Sequence, residues 1–277
     1  MFPVLPLVAS LHLPIVHRQP LPIRLCGIDA CNTVVQANTT NSLRQILRTQ
    51  LEDAEPSSRP RYVFFDLDET VVLPKTPFID GLPSSDRFTN RLEALCSGEV
   101  LAALREKMEQ AYYAAPITLV DESLPEVIAS LKQRGVRVYG LTSRGRDPLS
   151  YTFAWHNAKV VEALAQNGVE FSPLPQDQLT HGDNTEAGGI IYAGGDELTD
   201  KAVLMQRVTD GDAATLVDNS EHKLVRATSL GRACVHGVHY TAAWSKEASD
   251  KERREWILKI SPPLDNEEQV DADGRRA

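Results

Sequence analysis

Residues 63 to 70, Val-Phe-Phe-Asp-Leu-Asp-Glu-Thr, set an apolar run of β-forming side chains directly against two aspartates two positions apart. The run reads as a buried strand. Carboxylates cannot continue into an apolar interior without partners. Asp66 and Asp68 therefore mark the place where a strand leaves the core and meets something that welcomes negative charge.

The rest of the chain alternates in a way that frames this strand. Ser42 to Ala54 carries Leu43, Ile46, Leu47 and Leu51 at helical spacing, and a proline and serine connector follows. A loop from Leu73 to Phe88 leads to a predicted helix with Val100, Leu101, Leu104, Met108, Ala111 and Tyr112 on one face, ending at Pro116. Ser123 and Glu126 read as a capping box, and Gly135 as the stop of the helix they open. Strand Val136 to Ser143 follows, then a helix to about Asn167 stopped by Gly168. A helix from about Asp200 to Val208, a strand ending at Asp218, a helix from about Ser220 to Leu230 and a strand over Ala233 to Val238 complete the series. Strands separated by such helices predict an α/β chain: a doubly wound, mainly parallel, Rossmann-like sheet, with a small helical cap inserted after the strand that ends at Asp66. The expected division is an N-terminal extension or targeting segment over 1–41, a core over 42–74 and 118–245, the cap over 75–117, and a C-terminal helix with a polar tail over 246–277.

In such a sheet, ligands bind beyond the carboxyl ends of the strands. Asp66 and Asp68 end one strand, Thr142 and Ser143 a second, Asp218 and Asn219 a third. Acids crowded together repel one another unless a positive charge sits among them. Mg²⁺ suits such a set, because it takes a few carboxylates together with water and phosphate oxygens. Lys201, at the start of a helix, adds a second positive charge.

Here the residues resemble a known family. Asp-Leu-Asp-Glu-Thr, residues 66 to 70, is similar to the D-x-D-x-T signature of the haloacid dehalogenase superfamily, and Thr142, Lys201 and Asp218 with Asn219 follow in that family's order over roughly residues 61 to 240. Residues 140 to 145 and 237 to 240 are also similar to a bacterial branch of it, which supplies no substrate. The resemblance implies a Mg²⁺-dependent phosphatase. Asp66 would be the nucleophile and become an aspartyl phosphate, and Asp68 would serve as acid and then base. Thr142 and Lys201 would hold the phosphoryl group, with Ser143 and Arg144 as further substrate contacts. Asp66, Asp68 through its carbonyl, and Asp218 would be the metal ligands. An acid at 68 favours phosphate esters over halides. Two departures stand out: Asn219 replaces the second of two acids frequent at that place, and Gly195 to Asp200 offers a competing G-D-x-x-x-D form. The alternatives are a non-catalytic phosphoryl- or metal-binding protein and phosphoryl transfer to an acceptor other than water.

Composition narrows the partners. Thirty-eight acids against 29 bases give a net charge of −9, which argues against nucleic acid; the partner that the resemblance implies is a small phosphorylated substrate or a phosphoprotein. The apolar start, Met1 to Val16, is too short and proline-broken to span a membrane. Between Met1 and Leu51 the only acid is Asp29 while four arginines are present, so a transit or export segment stands as the alternative to a cytoplasmic protein with a loose extension. The four cysteines form no C-x-x-C pair and read as thiols in a reducing compartment. The acidic tail from Ser261 reads as solvated.

Overall fold

A computed structural model describes residues 31–76, 114–145, 151–174, 185–186, 188–194, 200–230 and 233–246, with positions 251, 252, 255 and 259. The strands are β1 (Val34–Ala37), β2 (Tyr62–Phe65), β3 (Val72–Pro74), β4 (Ile117–Leu119), β5 (Arg137–Gly145), β6 (Thr185–Glu186), β7 (Ile190–Gly194), β8 (Ala214–Asp218) and β9 (Val235–Tyr240). The α-helices are α1 (Thr40–Glu52), α2 (Leu124–Gln133), α3 (Tyr151–Gln166), α4 (Lys201–Thr209) and α5 (Glu221–Ser229).

Alternation along β2 explains the layers. Val63 and Phe65 point to one face, where they join Leu43 and Leu47 of α1, Val127, Ile128 and Leu131 of α2, and Val160 and Leu164 of α3. Tyr62 and Phe64 point to the other, among Leu204, Met205 and Val208 of α4 and Leu224 of α5. A strand buried on both faces has no polar side, which is why the sequence there is continuously apolar. The fold is thus a doubly wound α/β sheet.

Seven strands pair in the order β1-β9-β8-β2-β5-β7-β6, parallel throughout except for short β6, which runs antiparallel to β7. From β2 the chain builds outward through β5 and β7, then returns to the other side of β2 with β8 and β9. The winding therefore reverses between β2 and β8, and the carboxyl ends of two such strands leave a crevice between them.

The local signals largely act as their chemistry dictates. Gly135 and Gly168 stand just beyond α2 and α3 with φ of 80° and 72°, the left-handed turn that ends a helix. The capping box, however, is not at Ser123. That residue has helical backbone angles and makes no side-chain cap; its N–H and hydroxyl both donate to Asp121 Oδ1, at 2.9 and 2.6 Å. A reciprocal box appears instead at α1, between Thr39 and Ser42.

Three further corrections concern the sheet. Residues 34–37, expected within an extension, form edge strand β1, so the core starts upstream of residue 42. Ile190–Gly194 form β7, a strand that the predicted series lacks between Gly168 and Asp200, and Gly188 and Gly189 form the turn that leads into it. Cys31 and Cys234 are joined in a disulfide with Cα atoms 4.9 Å apart, not left as thiols. They lie 203 residues apart and meet because β1 runs beside β9, a proximity that local cysteine spacing does not encode.

β3 and β4 pair antiparallel just after the Asp66 turn, so the intervening segment leaves and re-enters on adjacent strands. The predicted cap helix and the acidic tail lie outside the described residues. Among the described residues, no helix is long and apolar enough to cross a membrane.

Candidate functional site

The pairing register brings the first two acids together. Phe65 of β2 lies opposite Val217 of β8, and the next residues are Asp66 and Asp218. The Asp66 N–H donates to the Val217 carbonyl at 2.9 Å, which fixes the strand end. Lys201 arrives from the first turn of α4, whose N-cap Asp200 accepts from the Ala202 N–H at 2.8 Å. Its ammonium donates to Asp66 Oδ1 and, at 2.7 Å, to Asp218 Oδ2. Asp218 Oδ1 accepts from the Ser220 N–H at 2.8 Å, which orients that carboxylate.

All three side chains are almost wholly buried: 4% exposed for Asp66 and Lys201, 0% for Asp218. Burial foremost, and then the charge of Asp218, push the Asp66 carboxyl up to about 6 against the pull of Lys201 and Lys223. Burial by itself would lower Lys201, but Asp218 and Asp66 outweigh it and hold the ammonium above its usual range. One ammonium between two carboxylates leaves this cluster a unit negative.

Asp68 belongs to a second group. Arg144 donates Nε to its Oδ2 at 2.8 Å and a terminal nitrogen to its Oδ1, a fork that engages both carboxylate oxygens. The guanidinium is buried and its other terminal nitrogen donates to Asn157 Oδ1 at 3.4 Å. Thr142 Oγ1 accepts from the Arg144 N–H at 3.2 Å, and the residue is fully buried within β5, opposite Tyr192 of β7.

Of the predicted residues, Asp66, Lys201 and Asp218 meet directly, while Asp68, Arg144 and Thr142 form the neighbouring set. Ser143 is exposed. Asn219 turns to Glu69, donating Nδ2 to Oε2 at 2.8 Å. Asp200, part of the competing motif, caps α4 and pairs with Arg226; residues 195–199 lie outside the described set.

Two participants escape the motif reading. Glu69 is buried with φ of 58°, a left-handed backbone uncommon for a residue with a side chain. Asn157, on α3, steadies Arg144 from across the sheet end. The run of three acids within four residues was a visible sign of Glu69; Asn157 had none, because its relevance depends on where α3 packs.

Among the described residues, no group of three or more His, Cys, Asp and Glu is arranged to hold a metal ion. The donor set still fits Mg²⁺, which needs only one or two carboxylates with water and phosphate for the rest. Two buried hard oxygen donors with an uncompensated negative charge meet that need. Comparison of the chain with family models, with curated proteins and with solved structures finds no match.

Proposed function

We propose that this chain is a Mg²⁺-dependent phosphatase of the haloacid dehalogenase type, hydrolysing a phosphate monoester through an aspartyl phosphate on Asp66. The observation that carries the reading is the Asp66, Lys201 and Asp218 cluster at the switch point of the sheet. A desolvated carboxylate next to a fixed ammonium is suited to attack phosphorus, since the ammonium can follow charge from the nucleophile to the phosphoryl oxygens.

In the first step an Asp66 oxygen bonds to phosphorus as the ester P–O bond breaks, and Asp68 gives its proton to the leaving oxygen. In the second, water attacks the same phosphorus, its proton passes to Asp68 and the Asp66 carboxylate is regenerated with release of phosphate. Asp68 has to leave the Arg144 fork to carry a proton. The fork thus doubles as a resting place for the acid and, once vacated, as a cation for the phosphate. Asp66, Asp218 and the Asp68 carbonyl would hold Mg²⁺, which when bound adds charge neutralisation at the phosphoryl group.

Purified protein with Mg²⁺ is expected to hydrolyse an aryl phosphate, and Asp66→Asn to abolish it. Equal rates in the two proteins would remove the proposal. A second reading, a phosphate- or metal-binding protein without turnover, draws on the closed Arg144 fork and on Asn219 being engaged by Glu69. Tight binding of beryllofluoride without hydrolysis across a broad panel of phosphorylated metabolites and phosphopeptides would favour it. Phosphoryl transfer to another acceptor would appear as a phosphorylated product when alcohols are added.

A further inference from the structure

The Cys31 and Cys234 pair lies at the amino end of β9, the opposite end of the sheet from Asp66 and Asp218. Both residues are partly exposed. His236, almost fully buried, lies beneath them on β9. Its Nε2 is 2.9 Å from the Ser58 carbonyl and 3.5 Å from Cys234 Sγ. A carbonyl can only accept, so Nε2 carries the hydrogen and presents it to the sulfur as well. Ser58 Oγ lies 3.5 Å from Cys31 Sγ. Cys31 Sγ thus has the Ser58 hydroxyl beside it, and Cys234 Sγ has the Ser58 carbonyl at 3.9 Å and the His236 N–H. The imidazole N–H is held in place by its bond to that carbonyl, whereas a hydroxyl turns about its own bond, so Cys234 has the fixed donor for a thiolate.

The bridge is not what docks β1. Asn32 N–H donates to the Val235 carbonyl at 2.9 Å, the Val235 N–H to Asn32 Oδ1 at 3.3 Å, and the Gly237 N–H to the Thr33 carbonyl at 2.8 Å. β1 then pairs with β9 along its whole length. Opening the bond leaves this ladder in place.

We propose that the Cys31–Cys234 bridge is a thiol-disulfide exchange site for a dithiol reductant, with Cys31 the sulfur attacked and Cys234 the leaving thiolate. A thiolate of the dithiol bonds to Cys31 Sγ, the protein S–S bond breaks, and its electron pair leaves on Cys234 Sγ beside the His236 N–H. The second thiol of the reductant then attacks its own sulfur in the mixed disulfide and expels Cys31. The dithiol closes to a cyclic disulfide, losing two electrons. Its two protons end on Cys31 and Cys234.

Reduction of the folded protein with dithiothreitol, followed by iodoacetamide and peptide mapping, is expected to label Cys31 and Cys234 with the circular dichroism unchanged. With glutathione as a monothiol trap, the mixed disulfide should map to Cys31. In a Cys31→Ser background, Cys234 should alkylate about tenfold faster than in Cys31→Ser with His236→Asn, the effect of one charge-assisted hydrogen bond. Reduction only in denaturant, an adduct on Cys234, or loss of the fold on reduction would each overturn the proposal, and so would equal alkylation rates. Should the double variant fail to fold, the glutathione adduct in the unaltered protein still decides between the sulfurs.

Discussion

Lys201 brings one positive charge to two carboxylates that water barely reaches, and the chemistry of the cluster follows from that imbalance. Asp66 is the group left under-compensated. Its carboxyl titrates near 6, above its unfolded value of 3.8. A raised carboxyl favours the folded state while it is protonated and burdens it once ionised, so the contribution is favourable at low pH and is lost as pH rises through about 6. A nucleophile must be ionised to attack. In the metal-free protein the Asp66 carboxyl is expected to ionise with a midpoint near 6, and a carbon-13 NMR titration of that carboxyl would show it; complete ionisation by pH 4.5 would contradict this assignment. Lys201→Met should have the opposite character to a surface change. Two buried acids without their cation should cost roughly 3 to 5 kcal/mol at neutral pH. The deficit should shrink toward pH 5, where protonation relieves them, and urea midpoints at the two pH values would measure it. These three residues were legible in the sequence as element ends, which is where the structure has them. The sequence could not show that Asp68 rests in an Arg144 fork, since that contact depends on the bend of β5 beyond Thr142 and on Asn157 of α3.

At the scale of elements, glycine separates two kinds of constraint. Gly135 and Gly189 both have positive φ, 80° and 75°. A Cβ at Gly135 would meet nothing within 4 Å, so Gly135→Ala bears only the backbone penalty, about 1 kcal/mol. At Gly189 it would lie 2.2 Å from the Ser172 carbonyl oxygen, and backbone there cannot step aside without moving the entry to β7. Gly189→Ala should cost roughly 3 kcal/mol or more. Denaturant unfolding of the two variants side by side would test the ordering. Helix stops were legible because the left-handed turn has a residue preference of its own. β7 was not, because Ile190–Gly194 is short and reads as an apolar patch between glycines. The cap at α2 was misplaced because Asp121 competes for the groups that Ser123 offers, and the sequence pattern for a box cannot see that competitor.

For the molecule as a whole, the sheet's outer edge decides where the domain begins. The doubly wound core could be inferred from alternation alone, but an edge strand with one exposed side carries a weak signal. Val34–Ala37 show it: Ala37 is fully buried, while Val35 is 39% exposed. What commits β1 to the sheet is contact with a strand two hundred residues away. Val34 covers Gly237 so closely that an added Cβ there would be 2.9 Å from its Cγ2. A chain begun at Asn38 keeps the Thr39 cap of α1 but loses both β1 and the bridge to Cys234. The paired change Cys31→Ser with Cys234→Ser loses the bridge alone, expected to cost about 2 to 4 kcal/mol while the strand ladder persists. The shortened chain should lose more than this. It should also self-associate, because β9 would then present an open row of backbone donors and acceptors. Urea unfolding would rank the three proteins, and size-exclusion chromatography would detect the association. Equal stability of the shortened chain and the double serine variant, with both monomeric, would mean that β1 adds nothing beyond its disulfide and that the domain does start at α1.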